Sequence, residues 1–517
     1  MSTDLNSAIE LHRAGRLDAA ASAYERAYLA DPKNADACYG LGTVLMQTDK
    51  HIEAARLLGT AFALEPSVPE FRHNYALALS GLARVYGQKR DYPAAIKAFE
   101  SFLQLKEPGS TDLLAYADLL LLARQPDAAR QAVDRAMQAG SDLSAAYLIA
   151  ARCARLSGDY DNARSHLRTA IGKRPAFGEA WQLLLDIELP ETLPKLAAEC
   201  ARLASDEGEK LRNRVLLAMT SGRAYEKLEE YSLAFDQFRT GNELQIKDQA
   251  TRDIRYDHDE KTGLASRAIQ TFQGALDVNG EVETDTQPIF IVGMPRSGTT
   301  LVERILGGLD GVVIGGESES IGVIASQFYR DLEQGHDSDW SVLASEYWRR
   351  ELCAPSRRTD KMPHNFWHVG LIAEIFPAAP VIYMRRDPRD VCMSIFSRVF
   401  SDGHPYATGF ESLAHFYRLS VDLMQHWIDA YPSRVIEVSY ENLVDNPETE
   451  TQAIAEHCGL EWVPECLNFH ERSGTSFTYS EMQVREPLNR KGIDAWRRYE
   501  SQLEPLTDAL RRSGLLG

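Results

Sequence analysis

The sequence has 517 residues and a net charge of −19, from 56 basic and 75 acidic side chains. This length exceeds one ordinary domain, and a composition that is 44% hydrophobic and 25% charged is typical of globular proteins. The acidic excess argues against a nucleic-acid partner and against an anionic membrane surface. Any anion site must therefore be local and built from a few placed donors.

The sequence also bears on compartment and redox state. No apolar stretch reaches the roughly 18 residues of a membrane span, and the N-terminus lacks the basic and apolar segments of a leader peptide. The seven cysteines are scattered, odd in number and without a CxxC pair, which favours reduced thiols over disulfides or a zinc site. We predict a cytoplasmic protein without a bound metal.

The first half of the chain contains an internal repeat. Triplets of a small residue, a residue four positions on and a residue three further on start 34, 41, 34, 34, 34 and 37 residues apart. Spacings of four and three put all three side chains on one helical face. The triplets are Ala20/Tyr24/Ala27, Ala54/Leu58/Ala61, Ala95/Phe99/Phe102, Ala129/Val133/Ala136, Ala163/Leu167/Ala170, Ala197/Ala201/Ala204 and Ala234/Phe238/Gly241.

Two irregularities stand out in this repeat. The longest step carries seven extra residues near Ser80–Gln88, and two additional helical turns could absorb them. The sixth unit lacks the Gly that precedes the triplet elsewhere, at Gly15 and Gly158, and it contains Pro190 and Pro194. We expect about seven helix-pair units, of which the sixth is degenerate.

The array resembles the tetratricopeptide repeat family, whose 34-residue helix pairs form a curved solenoid. The resemblance implies a groove that binds a peptide or protein. The array could instead stabilise the chain, dock the second domain or drive homodimerisation. We predict an all-α repeat domain over residues 1–250, a helical linker over 251–286 with a helix at Leu264–Phe272, and a second domain over 287–517.

An anion-binding loop is predicted at the start of the second domain. Ile289–Val292 is a short apolar run typical of a buried parallel strand, and helical spacing resumes over Thr300–Leu309. A strand, a Gly-bearing loop and a helix N-terminus aim backbone N–H groups at an anion. A nucleotide-triphosphate loop needs Lys where Thr299 stands, so this loop suits a smaller 5′ group without metal, with Arg296 as its cation.

A second anion site is predicted further along the chain. Val381–Met384 reads as another buried strand, and Arg386 follows it at the strand end. Ser394 lies eight residues on, in the next helix, where it would share a face with Arg398. An arginine and a serine in this arrangement suit a second phosphate.

The two motifs together resemble the PAPS-dependent sulfotransferases, where PAPS is 3′-phosphoadenosine 5′-phosphosulfate. RSGTT after a strand and RDPRDVxxS carry the resemblance, which extends over about residues 287–500 and is closest to the tyrosylprotein sulfotransferase type. With the repeats in front, the chain resembles bacterial sulfotransferases of this two-part design. The resemblance implies an α/β P-loop-like domain with a parallel sheet, and PAPS as co-substrate with 3′-phosphoadenosine 5′-phosphate (PAP) as product.

The resemblance also implies cofactor contacts, residue by residue. The expected 5′-phosphosulfate loop is Arg296, Ser297, Gly298, Thr299 and Thr300, and the expected 3′-phosphate site is Arg386, Ser394 and Arg398. Further expected cofactor contacts are Tyr440, at the end of a third strand over Val435–Tyr440, and Gln483 and Asn489 in the late segment. Ser480 in this segment matches a transition-state stabiliser of the family, and Trp496 also matches the family pattern. The family's Lys before this Trp is Ala495 here, so Arg490 and Lys491 are expected to supply its charge.

Catalytic roles follow from the same resemblance. Val312–Glu317 reads as a short strand leading to Glu317, the expected general base for the acceptor hydroxyl. Lys361, with Arg296 and Ser480, is expected to stabilise the leaving group. Glu319 is expected to be structural, and His364 is a second candidate base.

The sequence is compatible with more than one class of acceptor. The array and the tyrosylprotein resemblance favour a Tyr hydroxyl of a peptide or protein, whereas a glycan or a small phenol remains an alternative. Two other functions are compatible with the sequence, a metal-dependent P-loop kinase and a non-catalytic repeat scaffold. A comparison of PAP binding with binding of ATP and magnesium would distinguish a sulfotransferase from these alternatives.

Overall fold

The computed structural model describes residues 3–88, 91–123, 125–140, 143–273, 287–351, 353–354, 356–471 and 487–516. The chain divides into two compact units, Met1–Glu188 and Leu189–Gly517. The domain boundaries predicted at residues 250 and 286 stay a prediction. The second unit includes the last helices of the repeat pattern, because it begins at Leu189.

The first unit consists of helices packed as consecutive antiparallel pairs. Its small triplet residues are fully buried, as Ala20, Ala54, Ala129 and Ala163 show with 0% exposure. Small side chains let the paired helices approach closely, which confirms the predicted helical repeat. The helices are α1 (Thr3–Arg13), α2 (Leu17–Ala30), α3 (Ala35–Gln47), α4 (His51–Leu64), α5 (Pro69–Gln88), α6 (Tyr92–Leu105), α7 (Ser110–Leu122), α8 (Pro126–Gln138), α9 (Leu143–Leu156), α10 (Tyr160–Lys173) and α11 (Gly178–Ile187).

The seven-residue insertion lies within one helix, as predicted. Helix α5 has 20 residues where α3 has 13. In the turns between paired helices, Gly15 and Gly158 have φ values of +72° and +77°, a conformation that favours glycine. Proline ends the second helix of several pairs, and α10, for example, ends two residues before Pro175.

The second unit begins with helices that continue the repeat pattern. They are a 3-10 turn (Pro190–Thr192), α12 (Leu193–Ala204), α13 (Leu211–Lys227), α14 (Tyr231–Ala250) and α15 (His258–Thr271). The sixth pattern unit is irregular, because the proline-bearing 3-10 turn stands where the first and fifth units have the tight turns of Gly15 and Gly158. Helix α15 begins six residues before the predicted Leu264, since the Asp257 side chain caps it by accepting from the Glu260 N–H.

A four-stranded parallel sheet forms the centre of the second unit. Its strands are β1 (Ile289–Gly293), β2 (Thr359–Asp360), β3 (Val381–Arg385) and β4 (Val435–Ser439), in the order β2-β1-β3-β4. Phe290 pairs with Val381, which in turn pairs with Val435. This sheet and the helical first unit confirm the predicted fold class.

The strands are buried on both faces. Alternate residues of β1 and β3, such as Phe290 and Tyr383, belong to one apolar core, and Ile291 and Ile382 belong to a second core on the opposite face. The covering helices are α16 (Thr299–Leu306), α17 (Ser320–Glu333), α18 (Trp340–Glu351), α19 (Val369–Ile375), α20 (Pro388–Phe396), α21 (Phe410–Ala430), α22 (Tyr440–Asp445), α23 (Pro447–His457) and α24 (Glu504–Arg512).

One predicted strand is wrong. The segment Val312–Glu317 forms only a single parallel bridge, from Val313 to Arg358. Val313 and Ile314 are 50% and 42% exposed, so no apolar layer supports a longer strand there. The two glycines that follow them add further backbone freedom, which disfavours a strand.

None of the helices in the described ranges is long and apolar enough to cross a bilayer.

Candidate active site

Candidate residues follow the carboxyl ends of all four strands. The phosphate loop follows β1, Lys361 follows β2, Arg386 follows β3 by one residue, and Tyr440 follows β4. Since the strands are parallel, these ends share one edge of the sheet. In open α/β sheets ligands bind at this edge, where successive strands diverge to opposite sides. In this sheet the divergence lies between β1 and β3.

The loop after β1 is shaped by its backbone. Arg296 and Gly298 have φ values of +72° and +108°. A Cβ atom on Gly298 would lie 2.7 Å from Cδ2 of Tyr440, so only glycine lets the loop approach that ring. Helix α16 begins directly after Gly298, at Thr299. The loop therefore presents its N–H groups and a helix N-terminus at the sheet edge.

The two predicted anion sites meet in space. Arg296 Nε lies 3.0 Å from Ser394 Oγ and donates to it. Arg386 donates from one terminal nitrogen to the Arg296 carbonyl at 2.7 Å, and its guanidinium carbon lies 4.5 Å from the centre of the Tyr440 ring. The loops after β1 and β3 thus form one continuous surface.

This surface is electrostatically suited to an anion. Burial, followed by the neighbouring charges of Arg398 and Arg386, lowers the pKa of Arg296 to about 9. Two buried polar atoms, Ser297 Oγ and Arg386 Nε, have no hydrogen-bond partner among the described residues. Three close guanidinium groups and two unsatisfied polar atoms fit phosphate or sulfate oxygens.

Arg398 reaches this cluster by a different route from the predicted one. Helix α20 ends at Phe396, so Arg398 lies beyond the helix and shares no helical face with Ser394. Its N–H donates to the Ile395 carbonyl at 3.0 Å, and its side chain donates to the Ser397 carbonyl at 2.9 Å. The turn after the helix, rather than the helix itself, positions the guanidinium.

The late segment lies partly within the described ranges. Ser480 and Gln483 fall outside the described residues. Asn489 accepts from the Lys491 N–H at 3.1 Å, which begins the 3-10 turn Arg490–Gly492.

This turn is attached to the β3 anion site through its glycine. The Gly492 carbonyl accepts a hydrogen bond from Arg386. Arg490 instead pairs with Asp445 and is 67% exposed. Trp496 is 5% exposed, its backbone N–H donates to Asp390 Oδ1 at 2.8 Å, and the Arg389 guanidinium carbon lies 3.9 Å from its ring centre.

The two candidate catalytic residues are in contact. Lys361 Nζ lies 2.6 Å from Glu317 Oε1, in an ion pair in which the lysine side chain is 1% exposed and the glutamate 37%. The Lys361 N–H also donates to the Gly316 carbonyl at 2.9 Å. The carboxylate is therefore anchored by a buried cation while part of it stays open to solvent.

Glu303, a buried glutamate that the sequence did not single out, supports the segment before Glu317. Glu303, in α16, is 1% exposed and accepts from the Gly316 N–H and from Thr359 Oγ1, both at 2.9 Å. It links the phosphate loop helix, the segment before Glu317 and strand β2. The available signal was a charged residue in the otherwise apolar stretch Leu301–Leu306.

His364 lies in a different environment from Glu317. Its Nε2 lies 2.8 Å from the Tyr406 hydroxyl, and its ring centre is 4.7 Å from that of His404. Burial, followed by the charges of His404 and His368, lowers its pKa to about 3. Such an imidazole stays neutral and has little affinity for a proton. Within the described ranges, no group of His, Cys, Asp and Glu side chains is arranged to hold a metal.

Comparison with protein families divides the chain in a similar way. Residues 11–78 match the family described as tetratricopeptide repeat, and residues 88–170 match anaphase-promoting complex, cyclosome, subunit 3. Residues 288–464 match the family described as sulfotransferase family. This last range contains the four strands and both anion loops.

Several curated proteins are similar to the chain. An uncharacterized protein of Aquifex aeolicus is 30% identical over 56% of this chain and 40% of its own length. A putative protein-tyrosine sulfotransferase of Caenorhabditis briggsae is 26% identical over 41% of this chain and 80% of its own length. The protein-tyrosine sulfotransferase of Drosophila melanogaster is 26% identical over 46% and 53%. The chain thus spans about half or less of the Aquifex and Drosophila relatives.

Solved structures also show similarity to each part. The sulfotransferase domain of the Synechococcus olefin synthase is 19% identical and covers 43% of this chain and 91% of its own, with a TM-score of 0.32. A tetratricopeptide repeat protein of Parabacteroides merdae is 16% identical over 47% and 91%, also with a TM-score of 0.32. By the family matches, the chain carries tetratricopeptide repeats in its N-terminal half and a sulfotransferase domain in its C-terminal half.

Proposed function

We propose that the chain transfers the sulfuryl group of PAPS to an acceptor hydroxyl. The observation that carries the proposal is the contact between the two anion loops, Arg296 with Ser394 and Arg386 with the Arg296 carbonyl. PAPS has a 5′-phosphosulfate and a separate 3′-phosphate, so it needs two anion sites within one nucleotide's reach. ATP lacks the 3′-phosphate, so it has no group that would fill the second anion site.

The proposed roles divide between the two loops. Ser297, Gly298, Thr299 and Thr300 hold the 5′-phosphosulfate together with Arg296, through backbone and hydroxyl donors at the α16 N-terminus. The 3′-phosphate is held by Arg386, Ser394 and Arg398, and Tyr440 packs against Arg386. Asn489, Lys491 and Arg490 extend the site from the late segment, in which Ser480 and Gln483 keep their predicted roles.

Glu317 is the proposed general base. Its partly exposed carboxylate can accept the proton of an acceptor hydroxyl as the hydroxyl oxygen bonds to sulfur and the bond from sulfur to the bridging phosphate oxygen breaks. Lys361 and Arg296 face the negative charge that the departing phosphate gains. The low pKa of His364 favours Glu317 over this histidine as the base.

Nucleotide binding tests the proposal directly. Isothermal titration calorimetry should show saturable PAP binding that Arg386→Ala weakens by about 10- to 150-fold, the loss expected for charge-assisted hydrogen bonds. Arg385→Ala is the matched control, because Arg385 is 52% exposed and pairs with Glu437. A preference for ATP with magnesium over PAP, or equal effects of the two variants, would contradict the proposal.

The proposed acceptor is a tyrosine of a peptide or protein, bound with help from the repeats. Relatives described as protein-tyrosine sulfotransferases and the presence of tetratricopeptide repeats support this choice. Transfer of radiolabelled sulfuryl from PAPS to tyrosine-containing peptides, compared with glycans and small phenols, tests it. Labelling of glycans or small phenols alone would replace the peptide acceptor, and a cytoplasmic location and a homodimer stay predictions.

A further inference from the structure

Helix α14 follows the repeat pattern, yet it carries three buried amide side chains on one face. Asn242, Gln245 and Gln249 are 2%, 5% and 3% exposed. Their spacing of three and four keeps them on one side of the helix. Amides are costly to bury without hydrogen bonds, so their partners indicate what this face does.

The partners of Asn242 and Gln245 lie at the end of helix α20 and in the segment just after it, beside the proposed 3′-phosphate site. Asn242 Nδ2 donates to the Phe396 carbonyl at 2.8 Å and also to the Phe238 carbonyl of its own helix at 2.9 Å. Gln245 Nε2 donates to the Phe400 carbonyl at 3.0 Å. The last carbonyls of a helix have no partner within it, and side-chain donors from elsewhere can satisfy them.

The two amides bracket Arg398 along the chain. Phe396 precedes this arginine by two residues, and Phe400 follows it by two. The ring of Phe235, also on α14, stacks on Phe396 with centres 5.8 Å apart. The turn that carries Arg398 is therefore fixed at both ends by α14.

Helix α13 supports the same region from a second side. The Tyr499 hydroxyl donates to Glu226 of α13 at 2.9 Å. Burial and Glu226 raise the pKa of the Tyr499 hydroxyl, and the positive charge of Arg398 opposes this rise. The charge of Arg398 thus acts both on Arg296 and on a tyrosine bonded to α13.

We propose that Asn242 and Gln245 are positioning residues that set Arg398 at the 3′-phosphate end of the nucleotide site. The last helix pair of the repeat pattern then contributes to nucleotide binding by the sulfotransferase domain. This inference rests on the proposed function, because it assumes that Arg398 contacts a 3′-phosphate. It adds a specificity role to residues that touch neither substrate nor catalytic group.

Asn242→Leu tests the inference in the full-length chain, since leucine is close to asparagine in size but donates no hydrogen bond. We expect the dissociation constant for PAP to rise about tenfold and that for 5′-AMP, which lacks the 3′-phosphate, to stay unchanged. General destabilisation of the domain would weaken both ligands alike. Arg398→Ala should show the same selective loss, and adding Asn242→Leu to it should have no further effect.

Asn213→Leu is the matched control. Asn213 is a buried amide of α13, 9% exposed, and it bonds to Glu209 at 2.8 Å. This variant should keep the preference for PAP over 5′-AMP. If Asn242→Leu fails to fold, Gln245→Met serves in its place with the same expected selectivity.

The outcomes separate the two proposals. A wild-type chain that does not prefer PAP over 5′-AMP overturns the proposed function and this inference with it. A wild-type preference that survives Asn242→Leu, or a variant that loses both ligands equally, overturns the inference alone. Additive effects of Asn242→Leu and Arg398→Ala on PAP affinity also contradict it.

Discussion

Helices α10 and α14 follow the same sequence pattern but serve different parts of the molecule. Both bury a small residue, a large residue and a small residue, at Ala163/Leu167/Ala170 and at Ala234/Phe238/Gly241. Helix α10 has 14 residues and ends before Pro175, whereas α14 has 20. The position that corresponds to Pro175 is Ile246, so nothing stops the helix there.

The additional turns of α14 change what the helix contacts. They carry Gln245 and Gln249, which are buried within the second unit. The comparison teaches that a repeat can keep its internal packing face and acquire a second buried face by extension. The first face is encoded by the period, and the second depends on the domain it meets.

The largest expected effect is on the rate of catalysis and comes from Glu317, which lies in neither α10 nor α14. Glu317→Gln should lower the rate of sulfuryl transfer by about 10²- to 10⁴-fold, because the amide cannot take the acceptor proton. PAP affinity, measured by calorimetry, should stay near the wild-type value. Glu319→Gln, two residues on, is the control and should retain activity. An unchanged rate for Glu317→Gln would remove this residue as the base.

The next prediction compares the two helices directly. Leu167→Ala in α10 and Phe238→Ala in α14 remove fully buried side chains, so each should lower the free energy of unfolding by about 2–5 kcal/mol in denaturant titrations. Only Phe238→Ala should also weaken PAP binding, because loss of a ring that packs against Gly222 of α13 lets α14 shift and moves Asn242 away from the Phe396 carbonyl. Equal effects of the two variants on PAP affinity would break the distinction between the helices.

The smallest expected effect concerns two histidines, one in each unit. The lowered pKa of His364, about 3, means that its neutral form adds stability above the unfolded pKa near 6.5 and that this stability is lost as pH falls toward 3. His364→Gln should therefore flatten the fall in urea midpoint between pH 7 and pH 4.

His166, in α10, is the matched control for this pH dependence. Its pKa is also lowered, first by burial, but the ring is only partly buried. His166→Gln should change the pH dependence of the urea midpoint less than His364→Gln. A steeper change for His166→Gln would contradict the assignment of the acid-sensitive group to the second unit.

Short-range chemistry explains what could be predicted at the site. Strand, loop and helix around Arg296 follow one another in sequence, and the structure places Arg386 and Ser394 against this loop. The short strand before Glu317 was wrong because its residues lack apolar cover, which depends on distant neighbours. The prediction for Arg398 was wrong because α20 ends before it, at Phe396, whose carbonyl accepts from Asn242 more than 150 positions away in the chain.

The sequence by itself determined the helical period, the order of the strands along the chain and the residue types of the two anion loops, since these follow from local spacing and backbone preference. Only the tertiary structure decided that the loops form one surface and that Glu303 and Lys361 converge on the segment before Glu317. It alone also decided that α14 joins the second unit. These contacts link residues far apart in the chain, and burial, which no local pattern specifies, fixes their geometry.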